Sequence, residues 1–478
     1  MHAQLAYGLT FLVLASGVAN AESHRWQRVL AGERKVGQVE ISRIEAGARI
    51  LETETLTLAL GAPGRRVTYT MVQTTESADD GSLLRAVREV KTREGHVLVD
   101  ARVMGDDLQV TNGTGRAKTS QTLAGAGHSL KSDDFAKSWL AAVGRGEHPA
   151  PLSYISWDPV KLAVVEVTLQ PMADDDGPRV ERRVRSSTQL TASGLQLDAE
   201  GRVIRESMRL GSLEFTVVES TESEARAKNE VLDHIAQQLQ KAPYRIPTKD
   251  MRAKIRYGFD NHGTSPSLPV GAGQRTWTDG QTTFVQVCAE CVLDSQELDS
   301  DDRQRALQST RWLQSDDPGL ARRARGIAAG AVDDATKMKR LTAFVRGHMS
   351  VDRIDMLGYG TAIEAFRTRR GDCTEYAVLL AALGRAAGIP TRIAIGSVYA
   401  RQFEGHHHVF VPHAWVQAWT GTGWQSFDAA MGSFDSTHLA FVVSYDGSPA
   451  NHFAGTSLAH DLKLISAARV VPRKNAAN

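Results

Sequence analysis

The spacing of apolar residues changes partway along this 478-residue sequence, and the change limits the folds open to it. Up to about residue 220, apolar side chains alternate with polar ones, as in "VVEVTLQ", where Val165, Val167 and Leu169 share one face. Beyond residue 300 the apolar residues recur every three or four positions. Alternation predicts half-buried strands, and the longer period predicts amphipathic helices. The sequence therefore predicts an α+β protein whose N-terminal part is β-rich.

The β-rich part is expected to cover residues 22–241. "RVTYTMVQT" places Val67, Tyr69 and Met71 on one face, and "LQLDAEGRVIRESMRL" predicts a hairpin that turns at residues 198–201. Short alternating runs separated by turn residues are typical of an antiparallel sheet or an open barrel. No group of chemically reactive residues stands out here, so packing or presentation of a surface is the expected role.

A helical stripe is expected to close this first domain between residues 222 and 241. Its members are Val231, Leu232, Ile235 and Leu239. Pro243 and Pro247 in "APYRIP" interrupt helical structure, which places a domain boundary here. Residues 242–299 are then expected to form a linker and a small β module, because Ile255, Tyr257 and Phe259 alternate.

The first 21 residues resemble a secretory signal peptide. The apolar run from Leu5 to Val18 is shorter than the roughly 20 residues that span a bilayer, and Ala19-Asn20-Ala21 fits the cleavage pattern. Residues 1–4 lack the usual Lys or Arg, so a buried N-terminal helix is the alternative. We expect export to the periplasm or secretion, with cleavage near Ala21 and no integral membrane segment afterwards.

Charge is balanced over the chain, with 56 Lys and Arg against 55 Asp and Glu. This balance gives no general electrostatic case for binding nucleic acid or an anionic membrane surface. Apolar residues make up 42% of the sequence, which is enough for ordinary globular cores.

Two of the three cysteines, Cys288 and Cys291, form a C-x-x-C motif. In an oxidising compartment this spacing favours a local disulfide. A metal site would need two further ligands, and the sequence has no second C-x-x-C motif. A redox-active dithiol would be followed by a helix in a βαβ unit, which the pattern does not show. Oxidation of this pair would leave Cys373 as the free thiol.

Cys373 lies at the expected start of an apolar helix in "RRGDCTEYAVLLAALGRAAGIP". Asp372 is a candidate N-cap, and Gly388 with Pro390 ends the helix. The amides and dipole of a helix start favour a thiolate, and the same amides can donate to a developing oxyanion. Cys373 is therefore a candidate nucleophile, with a small buried apolar residue as the alternative.

A predicted hairpin downstream carries a histidine and an aspartate on one face. If Trp419 pairs with Trp424 across the turn "TGTG", Asp428 is the diagonal neighbour of His413, about 7–8 Å away. A carboxylate in this place fixes the imidazole tautomer and stabilises the imidazolium, which in turn stabilises a thiolate. Each residue alone has an ordinary structural explanation. Together, Cys373, His413 and Asp428 indicate a catalytic triad.

Three blocks of sequence resemble the signature blocks of bacterial transglutaminase-like proteins in order and context. They are "GDCTEYAVLLAALGRAAGIPTRIAIG", "HAWVQAW" and "WQSFDAAM". The resemblance covers about residues 300–440, within a domain placed at 300–470, and leaves out the β-rich half. It implies a papain-like fold in which the Cys373 helix packs against an antiparallel sheet. It also implies that Cys373 is the nucleophile, His413 the base and Asp428 its orienting residue.

Further residues near these blocks are weaker candidates. Tyr359 could supply a second oxyanion donor or contact substrate, although packing is the simpler explanation. Trp415 could line the substrate cleft or belong to the core. The three histidines of "GHHHVF", residues 406–408, are expected in an exposed loop. The implied mechanism needs no metal or organic cofactor.

The expected function is thiol-dependent acyl transfer outside the cytoplasm, on a peptide or protein. Water as the acceptor makes the protein a peptidase or amidase, which is favoured, and an amine acceptor makes it a crosslinking transglutaminase. A non-catalytic envelope binding protein that retains the fold is the second hypothesis. Thiol-disulfide exchange at Cys288 and Cys291 is the third.

Overall fold

The structure is a computed structural model that describes residues 21–471 apart from several short segments. These segments are 63–64, 92–95, 115–116, 160–161, 173–176, 186–189, 211–212, 233–238, 264–265, 292–296, 352–359, 449–450, 452–454, 456–457 and 460–461. The predicted signal peptide at residues 1–20 and Tyr359 lie outside the described residues. Within them, no helix is both long and apolar enough to cross a bilayer.

A single antiparallel sheet of 14 strands forms the N-terminal half. Its first eight strands are β1 (Ala21–Ala31), β2 (Arg34–Ala46), β3 (Arg49–Ala62), β4 (Arg65–Ala78), β5 (Leu83–Lys91), β6 (His96–Met104), β7 (Asp107–Thr114) and β8 (Ala117–Leu123). The other six are β9 (Leu152–Asp158), β10 (Ala163–Met172), β11 (Arg179–Arg185), β12 (Leu190–Leu197), β13 (Val203–Leu210) and β14 (Leu213–Ser220). Each series follows the chain order, and β1 joins them by pairing with β14.

The alternating pattern of the sequence accounts for this sheet. Val165, Val167 and Leu169 of β10 are buried together, as their spacing predicts. The hairpin of β12 and β13 turns at residues 198–201, where Gly201 adopts a positive φ of 81°. The predicted antiparallel sheet is confirmed, and together with the helices described below it makes the chain α+β.

The predicted helix over residues 222–241 is wrong in extent. The helix α2 (Glu222–Arg226) follows α1 (Lys137–Gly144) in the chain and ends after five residues. Leu232 then donates from its amide to the Ala59 carbonyl at 2.9 Å, and its own carbonyl accepts from Gly61. The apolar spacing was helical, but the sheet provides tertiary hydrogen bonds that outweigh this weak local preference. Residues 233–238 of the predicted stripe lie outside the described part of the chain.

The helices of the C-terminal half precede and include the one that begins at Cys373. They are α3 (Ser300–Leu307), α4 (Pro318–Ala328), α5 (Asp334–His348), α6 (Ala362–Thr368) and α7 (Cys373–Ala386). In α5, Asp333 accepts a hydrogen bond from the Thr336 amide at 2.6 Å, and Met338, Leu341 and Val345 are buried. Asp333 is thus the N-cap of this helix, and the three apolar residues form its buried face.

A five-stranded sheet lies against α7 and carries His413. Its strands are β15 (Gln240–Lys241), β21 (Thr391–Phe403), β22 (His406–Trp419), β23 (Trp424–Phe427) and β24 (His438–Ser444). On β22, Ala414, Val416 and Ala418 belong to the apolar cluster that contains most of α7. The alternate residues, His413 among them, therefore lie on the other face of the strand.

Residues 406–408 are not the loop that the sequence suggests, because β22 begins at His406. Glu404 and Gly405 both have positive φ, 45° and 87°, and make a two-residue turn between β21 and β22. Such turns match the twist of paired strands, so pairing continues to Phe403 and His406. His408 accepts or donates a hydrogen bond at 2.7 Å between its Nδ1 and the Tyr399 hydroxyl.

The C-x-x-C motif follows a second, four-stranded sheet. It contains β16 (Ile255–Asp260), β17 (Gln274–Asp279), β18 (Thr282–Val287) and β25 (Lys463–Arg469), while β19 (Ser350–Val351) and β20 (Arg370–Gly371) form a separate parallel pair. Cys288 and Cys291 are joined by a disulfide, the arrangement that the sequence favours. The module expected within residues 242–299 thus takes one strand from the C-terminal end of the chain.

One apolar cluster connects the large sheet with the helices. It includes Ala101 and Leu108 of the sheet, Leu320 and Leu341 of α4 and α5, and Leu379 of α7, all essentially inaccessible to solvent. Arg311 adds a polar contact, because its Nη1 donates to the Leu162 carbonyl at 2.8 Å. The N-terminal half therefore shares a core with the helices that position Cys373.

Candidate active site

Cys373 is the first residue of α7, and the helix start around it is closely defined. Asp372 is the N-cap, and its carboxylate accepts from the Thr374 amide at 2.7 Å. Glu375 completes a capping box by accepting from the Asp372 amide at 3.0 Å. These contacts fix the first turn, so that the thiol of Cys373 stands at the positive end of the helix.

Glu375 fills the space behind this turn, leaving no room for a side chain at Gly371 and little at Gly360. A Cβ added to Gly371 would lie 2.7 Å from Glu375 Cγ, and one added to Gly360 would lie 3.0 Å from the same atom. The second carboxylate oxygen of Glu375 accepts from the Gly360 amide at 2.8 Å. Burial and the nearby Asp372 raise the pKa of the Glu375 carboxyl well above its usual range.

His413 and Asp428 form a buried hydrogen-bonded pair. The strands β22 and β23 pair Trp419 with Trp424, the register that the sequence predicts, and Asp428 directly follows β23. His413 Nε2 lies 2.8 Å from Asp428 Oδ2. The other oxygen, Oδ1, accepts from the amides of Ala430 at 2.8 Å and Met431 at 3.0 Å. The carboxylate is thus held from both sides.

The start of α7 and the strand that carries His413 pack into the same apolar cluster. Cys373 is half-buried and packs against the apolar cluster that contains Ala414 and Ala429. These two residues follow His413 and Asp428 directly in the sequence. The elements that carry the three candidate triad residues therefore share one core, and Nδ1 of His413 is the ring nitrogen not bonded to Asp428.

A second histidine, which the sequence analysis did not single out, shares the same carboxylate. His438 is 1% exposed at the start of β24, and its Nε2 lies 3.0 Å from Asp428 Oδ2. Its Nδ1 lies 3.2 Å from Asp435 Oδ1. Asp428 therefore stands between two imidazoles, and His438 stands between two carboxylates.

The charges of this network support one another. Burial would lower the pKa of the His438 imidazole, but hydrogen bonds to Asp428 and Asp435 outweigh it and raise that pKa to about 9. Burial would likewise raise the pKa of the Asp428 carboxyl, yet His413 and His438 lower it well below its usual range. At neutral pH, Asp428 is an anion and His438 a cation, so the carboxylate that orients His413 is partly neutralised.

The same three residues could hold a metal ion. The ligand atoms of His413, Asp428 and His438 all lie within 4.8 Å of one another, and all three residues are buried. The histidine nitrogens are at hydrogen-bond distance from Asp428 Oδ2, at 2.8 and 3.0 Å. Protons shared between these groups account for the arrangement, and we assign no metal to it.

Trp415 supports the ring of His413 from within the core. The two rings are stacked with centroids 6.1 Å apart, and Trp415 is 2% exposed. It packs with Ala394 and Ala440. This burial favours the core alternative for Trp415 over a wall of the substrate cleft.

An arginine of α5 lies beside the loop that follows Asp428. The guanidinium of Arg346 occupies the place that a side chain at Gly432 would fill. It is also near enough to Tyr376 of α7 to favour the ionised form of that phenol, although burial raises the Tyr376 pKa overall. Arg346 is exposed, so it contributes positive charge at the surface next to the candidate triad.

The family comparison agrees with the blocks quoted above. Residues 321–429 match the family model of the transglutaminase-like superfamily. The matched segment contains Cys373, His413 and Asp428. The chain therefore carries a domain of the transglutaminase-like superfamily. Comparison with curated proteins gives no significant match.

Solved structures are similar to the chain only to a limited degree. A candidate cysteine protease from Cytophaga hutchinsonii is 16% identical, with a TM-score of 0.29, over 48% of this chain and 83% of that one. The periplasmic domain of TgpA from Pseudomonas aeruginosa is 18% identical, with a TM-score of 0.26, over 47% and 80%. A candidate protease from Parabacteroides distasonis is 10% identical, with a TM-score of 0.21, over 72% and 68%. TM-scores this far below 0.5 do not establish that this chain shares the fold or function of those proteins.

Proposed function

We propose that the protein is an exported thiol-dependent amidase or peptidase that cleaves peptide or protein amides. The observation that supports this proposal is the buried His413–Asp428 pair, on a sheet that shares an apolar cluster with the capped helix beginning at Cys373. A thiol at the positive end of a helix and an imidazole held by a carboxylate are the parts that acyl transfer through a thioester requires.

The residues have distinct roles in the proposed reaction. The thiolate Sγ of Cys373 attacks the amide carbonyl, and amides of the first turn of α7 stabilise the oxyanion. His413, as imidazolium, gives its proton to the leaving amine, which departs as the C–N bond breaks. Water then attacks the thioester and loses a proton to His413, and the Cys373 thiolate is released with the acid product.

Asp428 keeps His413 in the tautomer and orientation that this sequence of steps needs. Its bond to Nε2 leaves Nδ1 to exchange protons with Cys373 and the leaving group. His438 holds the same carboxylate in place from its other side. We assign His438 a positioning role, because it acts on the reaction through Asp428.

The disulfide and the N-terminal sequence support action outside the cytoplasm. A disulfide between Cys288 and Cys291 persists in an oxidising compartment, and residues 1–21 fit a signal peptide. In the proposed domain organisation, residues 22–241 form the β-rich domain, 242–299 the linker and small β module, and 300–470 the catalytic domain.

The test is mass spectrometry of purified protein incubated with a pool of envelope peptides. Wild-type protein is compared with Cys373→Ala, with and without a primary amine. We expect cleavage products that need Cys373. Products that carry the amine would show acyl transfer in place of hydrolysis. If wild type and variant give identical spectra across the pool, the non-catalytic binding hypothesis replaces this proposal.

A further inference from the structure

A recess lies between α4, α5 and α6, beside the segment that leads to Cys373. Its volume is about 440 Å³. It is lined by Gly319, Arg322, Arg323, His348, Phe366 and Arg369. Three of these residues are arginines and none is acidic. In a chain with a formal net charge of +1, this is a marked local concentration of positive charge.

The three arginines are available to a ligand. Arg322, Arg323 and Arg369 are exposed, and none of them forms an ion pair with another described residue. The guanidinium of Arg323 lies over the Phe344 ring, 4.7 Å from its centroid, which holds the group without neutralising it. The planar guanidinium of such an arginine can donate two parallel hydrogen bonds to one anion.

The walls of the recess are fixed by packing. His348 is stacked between Phe344 and Phe366, with ring centroids 4.9 and 5.1 Å away, and its Nε2 lies 2.8 Å from the Phe366 carbonyl. Arg369 has a left-handed backbone with φ of 58°. Its carbonyl accepts from both the amide and the hydroxyl of Ser350, at 2.8 and 3.0 Å. The site is therefore built before a ligand arrives.

The recess is close to the candidate nucleophile and lies on a basic surface. Arg369 precedes Cys373 by four residues, so their Cα atoms are at most about 14 Å apart. Residues 318–370 contain eleven Lys and Arg against five Asp and Glu. Arg346 of α5 lies beside Gly432, in the loop after Asp428.

We propose that this recess binds a carboxylate of the substrate while Cys373 attacks an amide a few residues away. The substrate class is then an acidic peptide, whose carboxylate is either a side chain or a free C-terminus. This inference rests on the proposed function, since it names the substrate of the same site. The arginines supply charge and orientation, and the flat ring of Phe366 offers an apolar contact for the adjoining chain.

The test measures peptide binding to the full chain carrying Cys373→Ala, by fluorescence anisotropy. Peptides are compared in pairs, Glu against Gln and C-terminal acid against amide, which separates the two sources of the carboxylate. The variants are Arg322→Gln and Arg369→Asn, the latter chosen because Asn tolerates the left-handed backbone. The matched control is Arg325→Gln, since Arg325 is also exposed on α4 but does not line the recess.

In at least one of the two pairs, we expect the acidic peptide to bind more tightly than its neutral partner. Each recess variant should weaken that binding about three- to tenfold, and the control should leave it unchanged. Equal binding of acid and neutral peptides, or an equal loss in the control, would overturn the proposal. Arginine-dependent binding in a protein that shows no hydrolysis would support the recess and reject the proposed reaction. Hydrolysis without a preference for acidic peptides would support the proposed reaction and reject the recess as a carboxylate site.

Discussion

At the scale of single residues, Asp428 has more partners than a triad needs. Its carboxylate accepts two backbone amides on Oδ1 and two imidazoles on Oδ2. A carboxylate bound in this way has little freedom to rotate. It is also a weaker base than one that is bonded to His413 alone, because His438 withdraws part of its charge.

Replacing His438 tests this positioning role. In His438→Ala, we expect kcat to fall about tenfold or more, since a hydrogen bond to a charged group is worth about 1.5–3 kcal/mol. KM should change little, because His438 is buried and does not touch substrate. His438→Gln, which can still donate to Asp428, should recover part of the loss. A parallel rise in KM, with no difference between Ala and Gln, would indicate a general structural defect instead.

The same residue makes stability depend on pH. Because folding raises the His438 pKa from its ordinary 6.5 to about 9, the protonated form stabilises the folded state. This contribution is complete below about pH 6.5 and is lost as the pH rises through 9. Unfolding free energies from urea titrations at pH 6 to 10 should fall more steeply for wild type than for His438→Gln. The expected difference is on the order of 3 kcal/mol, and parallel curves would contradict it.

The sequence singles out Cys373, His413 and Asp428, but it does not single out His438. Cys373, His413 and Asp428 each stand in a pattern with its own physical meaning: a helix start, an alternating strand and the end of a hairpin. His438 begins a later strand and reaches Asp428 only because β24 pairs with β21. The one sequence signal for His438 is its position in "FDSTHLAF", at the start of an apolar strand.

At the scale of elements, the start of α7 depends on one glycine. A side chain at Gly371 would collide with Glu375, the residue that completes the capping box. Relief of the collision would move Glu375 away from the Asp372 and Gly360 amides, and with it the first turn that carries Cys373. The helix start is therefore defined by the residues before it as much as by its own sequence.

Gly371→Ala should accordingly be costly. We expect a loss of about 1–3 kcal/mol in unfolding free energy, typical of overpacking, together with reduced reactivity of Cys373 toward a thiol reagent at pH 7. Gly326→Ala on α4 is the control, because an added Cβ there meets nothing within 4 Å and alanine favours a helix. If both alanine variants keep wild-type stability and thiol reactivity, Glu375 does not define the helix start.

Elements with strong local signals were predicted well from the sequence. The capped helices α5 and α7 and the hairpin of β22 and β23 follow from apolar period, cap residues and turn residues. The helix expected over residues 222–241 was wrong because its apolar period competes with hydrogen bonds from β3, a strand more than 150 residues earlier. Local preference is weak, so such competition is decided by tertiary structure.

At the scale of the whole molecule, the large sheet and the helices are joined by one core. Leu108 of β7 and Leu379 of α7 belong to the same apolar cluster, whereas Leu195 of β12 belongs to a separate cluster within the sheet. The sequence indicated two regions of different period but contained no signal for their contact. The sheet therefore has a structural role in the transglutaminase-like domain beyond any surface it presents.

This shared core predicts an effect at a distance. Leu108→Ala should cost about 2–5 kcal/mol and lower the urea concentration at which Cys373 becomes accessible to a thiol reagent. Leu195→Ala should have a larger effect on the strands than on Cys373. The urea midpoint of the far-UV circular dichroism signal should fall more than the urea midpoint at which Cys373 becomes accessible. An unchanged Cys373 midpoint in Leu108→Ala would mean that the two halves unfold independently.

The pairing of β1 with β14 also constrains how the chain reaches its fold. Trp26 pairs with Ser220, and Ile255 pairs with Arg469, so the 14-stranded and the four-stranded sheets each depend on pairing between residues far apart in the sequence. Contacts of such long sequence separation slow folding, because the entropy of closing a long loop is lost before the contact is gained. Until β14 and β25 are synthesised, β1 and β16 each have one edge without its native partner, and such an edge can pair with another chain.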